Sequence, residues 1–560
     1  MRTARSAVVA SLLTMLSYGS AAATETAYLR PGEVVVCVGD SVTAAGVYEG
    51  FLQALLDRMY PEAKIRIVNR GQGGQTAAAA ANLLQSAIDK EHPTLATFMF
   101  GVNDTRWSAG DEEAKAAALT SGLAAALDCA ANHGVTPLLL RESHFSHGQA
   151  PDEFATKINH VLDRLLAAQD AFAADRGVPV IDTLGAYKRG LAAAWAADPR
   201  YEFSPDVVHP NSAGHAALAG EILRAFGAGL PLAAAGGERG PLRLAPADDM
   251  SIEFTAASGV LPPGGSLPVE VTLHNRSATA EKGMLVLCIP DHVVETSVSV
   301  AAGASTTAVL ELPLARLRAE RGVEPLYANF RCGERFAAAS TLFFHTQIRP
   351  AAAAPVVFTA ADFQSAAEED ARVCPVTHVA MRRDEKHLTV DFTWKDATVV
   401  TARPGFKNRF GKEIAGLLDL NGREGQPCDA VEILVDQRPV TAIGRPTAGA
   451  DANPPGLLRI GICLVEENGS IVPRAISLPE LPAGDISLEA TGPDAWSLHV
   501  RVEPEGPCLG VSMRVTDTTE FKPAATPLFW LTGHRGTGQE PMGFVQLGER
   551  DEGVVYRVGY

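Results

Sequence analysis

Along the first 230 residues, short and almost unbroken apolar runs alternate with longer segments of helical period. "EVVVCVGD", "AKIRIVNRG", "TLATFMFG", "VTPLLLRES" and "VPVIDT" read as strands. Between and after them, "YEGFLQALLDRMY", "TAAAAANLLQSAIDK", "DEEAKAAALTSGLAAALDCAANHG", "DEFATKINHVLDRLLAAQDAFAADRG" and "SAGHAALAGEILRAFGAG" read as amphipathic helices. Apolar strands alternating with helices predict an α/β fold, a parallel sheet covered on both faces. The pattern changes at "PLAAAGGERGPLRLAPADD", where Gly, Pro and Ala lose all periodicity and mark a linker over residues 231–249. Short alternating segments follow, such as "SLPVEVTLHN" and "GMLVLCIP", and predict an immunoglobulin-like β-sandwich over residues 250–349. A second linker, "RPAAAAPVV", opens a larger β-rich region, residues 350–560, with the pattern of a second sandwich or jelly roll. The two linkers imply modules folding on separate cores.

A chain of 560 residues is too long for one hydrophobic core, which fits this division. Its 46% apolar and 20% charged residues describe ordinary folded domains. The net charge of −17 disfavours nucleic acid or an anionic membrane surface as partner, since both require a basic face. Arg2 and Arg5, a short apolar stretch and Ala21-Ala22-Ala23 have the form of a signal peptide over residues 1–23. No later stretch has the apolar length of a membrane span. The expectation is a secreted or periplasmic protein. Export permits disulfides, and Cys288 with Cys332 is the best candidate pair among the 8 cysteines. No C-x-x-C motif supports a zinc or redox site.

Candidate chemistry collects at strand ends. Gly39-Asp40-Ser41 ends the first strand, Gly71, Gly73 and Gly74 follow the second, and Gly101, Asn103 and Asp104 follow the third. Asp206 and His209 precede the last helix. In a parallel sheet all these loops share the carboxyl edge, where ligands bind. A serine hydroxyl needs a base before it attacks, and His209 can serve. Asp206, three residues earlier, can fix the imidazole and stabilise its charged form. The backbone N–H groups of Ser41 and Gly74 and the Asn103 amide can receive an oxyanion. Singly, each residue has a plainer use: Ser41 as a helix N-cap, Gly74 as a turn glycine, Asn103-Asp104 as a cap. Together, at one sheet edge, they point to nucleophilic catalysis.

In combination, Gly39-Asp40-Ser41, Gly74, Gly101-Val102-Asn103-Asp104 and Asp206-Val207-Val208-His209 resemble the four sequence blocks of the SGNH hydrolases, the GDSL-like esterases. The resemblance covers about residues 33–226, with Gly73 standing where many members have serine. It implies a flavodoxin-like three-layer α/β/α domain at residues 24–230 and ester hydrolysis by a serine mechanism. Ser41, Asp206 and His209 would form the triad, and Ser41, Gly74 and Asn103 the oxyanion hole. No Gly-x-Ser-x-Gly elbow is present. No cofactor and no metal ion is expected. "RESHFSHG", with Glu142, His144 and His147, reads as a surface or substrate-facing loop rather than a metal site. Trp107 is placed either to line the pocket or to pack.

The C-terminal region resembles family-nine carbohydrate-binding modules, with Asp429, Glu432 and Asp436 fitting an acidic segment of that pattern. Trp394, Trp496 and Trp530 are candidate stacking platforms for sugar, core packing being the alternative use. The combined reading is an exported serine esterase that removes acyl groups, chiefly acetyl, from a polysaccharide, with acylated carbohydrate as its partner. The rivals are a lipid esterase or lysophospholipase, and a carbohydrate-binding protein with a dead first domain. The oligomeric state cannot be read from the sequence.

Overall fold

The structure is a computed structural model that describes residues 26–145, 153–197, 203–204, 207–244, 249–262, 264–313, 323–333, 335–351, 354–365, 374–395, 401–402, 428–437, 456–482, 484–492, 494–504, 508–516, 528–531, 545–548 and 554–559. The first domain holds five parallel strands, β1 (Val34–Gly39), β2 (Arg66–Gly71), β3 (Leu95–Phe100), β4 (Thr136–Arg141) and β5 (Val180–Ile181), in the order β2-β1-β3-β4-β5. Its helices are α1 (Ser41–Ala44), α2 (Val47–Met59), α3 (Ala80–Glu91), α4 (Glu112–Asn132), α5 (Glu153–Arg176), α6 (Thr183–Ala197) and α7 (Ser212–Phe226). Successive side chains of β1 feed opposite faces. Val35 and Cys37 join a core with α2, α6 and α7, and Val36 and Val38 join a core with α3, α4 and α5. This is the three-layer α/β/α arrangement expected. The short α1 and the alanine-rich α6 are the helices the apolar pattern does not single out. Among the described residues no helix is long and apolar enough to cross a membrane.

The rest of the chain is mostly antiparallel sheet. Strands Ser305–Pro313, Ser266–Asn275 and Met250–Phe254 form one small sheet. It shares a core, Leu267, Val269, Val271, Leu285, Phe330 and Phe343 among its members, with strands His292–Val300, Glu281–Ile289, Val323–Cys332 and Arg335–Pro350. In the third region a five-stranded sheet containing Val376–Arg383, His387–Trp394 and Ala495–Arg501 packs its apolar residues against those of Ala430–Asp436, Leu457–Glu467 and Cys508–Thr516. Both regions have the two-sheet form expected of sandwiches.

Three expectations need correction. First, residues 231–244 do not act as a loose linker. Ala233 N–H donates to Leu29 O at 3.1 Å and Arg243 N–H to Ala225 O at 2.9 Å. Arg239 grips the buried Glu33 carboxylate at 2.5 and 2.8 Å. Burial works against ionising Glu33, but Arg239 and the Thr94 hydroxyl outweigh it and hold its carboxyl below the usual range. Second, the first domain and the middle sandwich do not stand on separate cores. Cys288, Val323, Tyr327, Leu342, Phe344 and Ile348 of the middle sandwich belong to the same apolar cluster as α2 and α7. The small residues of α7 allow this approach: a Cβ on Gly220 would lie 2.0 Å from Ser340 Oγ. The regions are also joined by strands. Arg335–Pro350 pairs with Val323–Cys332 early and with Val545–Gly548 late, and Val554–Val558 returns from the chain's end to pair with the middle sandwich. Third, Cys288 and Cys332 are free thiols. Cys288 stands opposite Tyr327, five positions before Cys332 on that strand, or about 17 Å at ~3.3 Å per residue, far beyond a disulfide's reach.

The shared core makes the first domain dependent on the second. Losing one large buried side chain costs about 2–5 kcal/mol, against a total stability of about 5–15 kcal/mol. A chain ending at Leu230 loses six such partners of α2 and α7 at once. It should lack a cooperative thermal transition and elute as aggregate in size-exclusion chromatography. A monomeric fragment melting within a few degrees of the full chain would contradict the shared core.

Candidate active site

Strand β1 delivers its terminal glycine into a space with no room for a side chain. A Cβ on Gly39 would lie 2.1 Å from Thr43 Oγ1 and 2.8 Å from Met99 O. The chain then turns directly into α1. Asp40, not Ser41, is the N-cap: its Oδ1 accepts the Val42 N–H at 3.0 Å. The capping use of Ser41 is thus taken by its neighbour, and Ser41 is left as the first helical residue with its hydroxyl turned elsewhere. That hydroxyl lies 2.9 Å from His209 Nε2.

His209 comes from the loop before α7. Asn211 caps that helix, its Oδ1 accepting the Gly214 N–H at 3.0 Å, and its own N–H donates to Phe203 O at 2.6 Å. Val207, two residues before the histidine, has φ +77°, a left-handed conformation that a β-branched residue seldom adopts. Such strain persists only where the surroundings enforce it, and it gathers at functional sites. Asp206 lies outside the described residues.

Two further loops reach the same place. Gly74 has φ +75°, and a Cβ on neighbouring Gly73 would lie 3.9 Å from Ser41 Cβ, so this loop borders the hydroxyl. Asn103 opens a 3-10 turn after β3. Its Nδ2 donates to Asp40 Oδ2 at 3.1 Å and to Gln75 O at 3.0 Å, tying three loops together. Asp104 is no cap for α4. Its carboxylate accepts the Ala77 N–H, at 3.2 Å to each oxygen. Three strand-end loops and the loop between α6 and α7 thus converge on Ser41, a nucleophile paired with a base beside backbone and amide donors.

The profile of the GDSL-like Lipase/Acylhydrolase family matches residues 37–217, which contain all of these groups. Residues 37–217 are a GDSL-like domain. An acetylxylan esterase of Geobacillus stearothermophilus is 25% identical over 216 residues, 35% of this chain and 94% of that protein. Among solved structures, an alpha/beta hydrolase from the metagenome of Lake Arreo, Spain, is 24% identical, over 36% of this chain and 98% of that one, with a TM-score of 0.30. An acetylxylan esterase structure from Geobacillus stearothermophilus is 21% identical, over 35% of this chain and 95% of that one, also at 0.30. The family and the sequence relative support an acyl esterase.

Beneath Ser41 the GDSL-like domain buries several acids. Burial pushes Asp40 up to about 6, opposed by the Val42 N–H and by His209. Burial also pushes Asp104 up to about 6 and Glu49 up to about 8. Glu142 corrects the surface alternative for "RESHFSHG" at the start of that segment. It is fully buried at the end of β4, with Oε1 accepting the Ser143 N–H and Oε2 without a partner. Burial, reinforced by repulsion from Asp40 and Asp104, raises its carboxyl well above the usual range. His144 pairs with Asp163 at 2.7 Å, and His147 lies outside the described residues. No cluster of three metal-ligating side chains occurs among the described residues.

Of the tryptophans proposed for sugar, the two with described side chains are used in packing. Trp394 is buried in the core of the third region, where a sugar ring cannot reach it. Trp496 is half-buried and packs on Phe392 with ring centroids 5.8 Å apart. Trp530 lies on a short strand opposite Gln364, and its side chain is outside the described residues. Asp429 and Asp436 are buried, and Glu432 pairs with Arg514.

Glu142 yields a pH test. A carboxyl with a raised folded-state pKa binds its proton more tightly folded than unfolded. Its contribution favours folding at low pH and declines as pH climbs above ~4.3, the unfolded glutamate value. Glutamine reproduces the neutral form and has no proton to lose. Glu142→Gln should match the parent near pH 4 and become progressively more stable than it towards pH 8, read from urea midpoints. A pH-independent difference would show that Glu142 is ionised in the fold.

Proposed function

We propose that the protein is an exported serine esterase that removes acyl groups, acetyl first among them, from a polysaccharide. The observation that carries this reading is the Ser41–His209 contact of 2.9 Å inside the GDSL-like domain. In the proposed reaction His209 Nε2 takes the Ser41 proton as Oγ attacks the ester carbonyl. Asp206 steadies the imidazolium. The tetrahedral oxyanion is received by the Ser41 and Gly74 N–H groups and by Asn103. Collapse expels the sugar hydroxyl, which takes the proton from His209 and leaves acyl-Ser41. Water, deprotonated by His209, then attacks the acyl carbon, and the carboxylic acid departs as the proton returns to Ser41.

The name of the acetylxylan esterase relative supports acetyl on a carbohydrate as the substrate. The basic, apolar and small-residue order at residues 1–23 supports export. A dead first domain would call for a broken nucleophile–base pair, and Ser41 and His209 are in contact.

Ser41→Ala and His209→Ala should each nearly abolish release of p-nitrophenol from p-nitrophenyl acetate. The double variant should lose little more than either single one, because the two act as a unit. Normal turnover by Ser41→Ala would end the proposal. Both Asn103 amide hydrogens are engaged here, by Asp40 and Gln75, so oxyanion binding requires it to release one. Asn103→Ala should lower kcat by about a hundredfold to a thousandfold at little change in KM, the usual cost of one oxyanion donor. A raised KM at constant kcat would make Asn103 a substrate-binding residue instead.

A further inference from the structure

We infer that Trp107 and Phe154 form an aromatic platform beside Ser41 that stacks a pyranose ring of the substrate. The inference rests on the glycan-esterase reading above and names the subsite where the sugar would sit. Among the described residues, these are the two large hydrophobic side chains of the GDSL-like domain that stand exposed, at 44% and 43%. Large aromatics are normally withdrawn from water, so two exposed on one patch ask for a reason.

They flank one ring. Phe145 is buried, and Asn159 clamps its backbone: the Phe145 N–H donates to Asn159 Oδ1 at 2.8 Å, and Asn159 Nδ2 donates to Phe145 O at 2.6 Å. Trp107 meets Phe145 edge-to-face at 5.3 Å and 86°, and Phe154 meets it at 6.3 Å and 86°. Both contacts are perpendicular, so neither exposed ring is stacked face to face on Phe145.

The backbone is strained to set Trp107 there. Arg106 and Trp107 are consecutive non-glycine residues in the left-handed region, at φ +52° and +53°. The Trp107 N–H donates to Thr105 Oγ1 at 3.2 Å, and the buried Lys115 ammonium holds Ser108 O at 2.6 Å. Core packing would not require this turn, because a packed indole would be covered.

Two observations place the patch near the reacting groups. Trp107 lies two residues past the end of the 3-10 turn that Asn103 opens. Phe145 shares an apolar cluster with Val102 and with Val208, the residue before His209. A flat, open and rigid aromatic surface suits the C–H face of a sugar ring. A long acyl chain would call for an enclosed channel, which two rings exposed by more than two-fifths do not make.

The test compares full-length variants on two esters, p-nitrophenyl acetate and an acetylated xylo-oligosaccharide. Trp107→Ala should raise KM for the oligosaccharide about tenfold more than KM for the aryl ester, a difference of ~1.4 kcal/mol. Phe154→Ala should act in the same direction, and Trp107→Phe should restore most of the loss. Equal losses on both esters, with no rescue by Phe, would make Trp107 structural and overturn the platform. A loss confined to p-nitrophenyl esters of long acyl chains would assign the rings to the acyl group and also overturn it. If the parent protein itself cleaves p-nitrophenyl acetate but releases acetate from no acetylated glycan, the glycan reading fails and the platform with it. If the parent deacetylates the oligosaccharide and the variants match it, the platform alone falls.

Discussion

The arrangement around Ser41 depends on one buried carboxyl. Asp40 caps α1 through Oδ1 and accepts the Asn103 amide through Oδ2, so one side chain fixes both the nucleophile's helix and a candidate oxyanion donor. Because Asp40 does the capping, the Ser41 hydroxyl is free to meet His209. The arrangement stores electrostatic cost. Asp40 is fully buried, Asp104 and Glu142 lie near it, and each is pushed towards its neutral form. Burial that opposes ionisation is tolerated where it positions groups that must not move, which is the usual trade at an active site.

The GDSL-like domain is supported from behind by the rest of the chain. Helix α7 carries the His209 loop at its N-terminus, and it is buried along nearly its whole length. One side of it belongs to the hydrolase core and another to strands of the middle sandwich. The base is therefore held by a helix that two domains compress. Arg239 adds a second tie, fastening residues 231–244 to Glu33 at the start of β1. A strand at the far end of the chain, Val554–Val558, closes the middle sandwich, so both ends of the β-rich part meet near the hydrolase domain.

Much of the site was legible in the sequence because its logic is local. Each strand end carries its own glycine, acid or amide, and a parallel sheet brings all such ends to one edge. The five strands and five of the longer helices follow from apolar periodicity alone. The identity of the cap did not follow. Asp40 and Ser41 are both good caps, and only the backbone path after Gly39 decides between them. Glu142 and Trp107 show the same limit in opposite directions. A glutamate between Arg141 and Ser143 reads as exposed yet is fully buried, and a tryptophan in a loop reads as equally ready to pack or to project.

By itself the sequence determined the α/β class of the first domain, the serine, histidine and amide that meet at its edge, and the β-rich character of the remainder. These depend on periodicity and on strand-end residues, which short stretches of chain carry. The tertiary structure alone decided that the first two domains share a core, that residues 231–244 are pinned to the first of them, that Cys288 and Cys332 are too far apart to bond, and that Trp394 is buried. Each of these turns on contacts between residues distant along the chain. Glycine, alanine and proline at 231–244 announce an irregular backbone, but whether that backbone floats or is pinned depends on Glu33, some two hundred residues earlier.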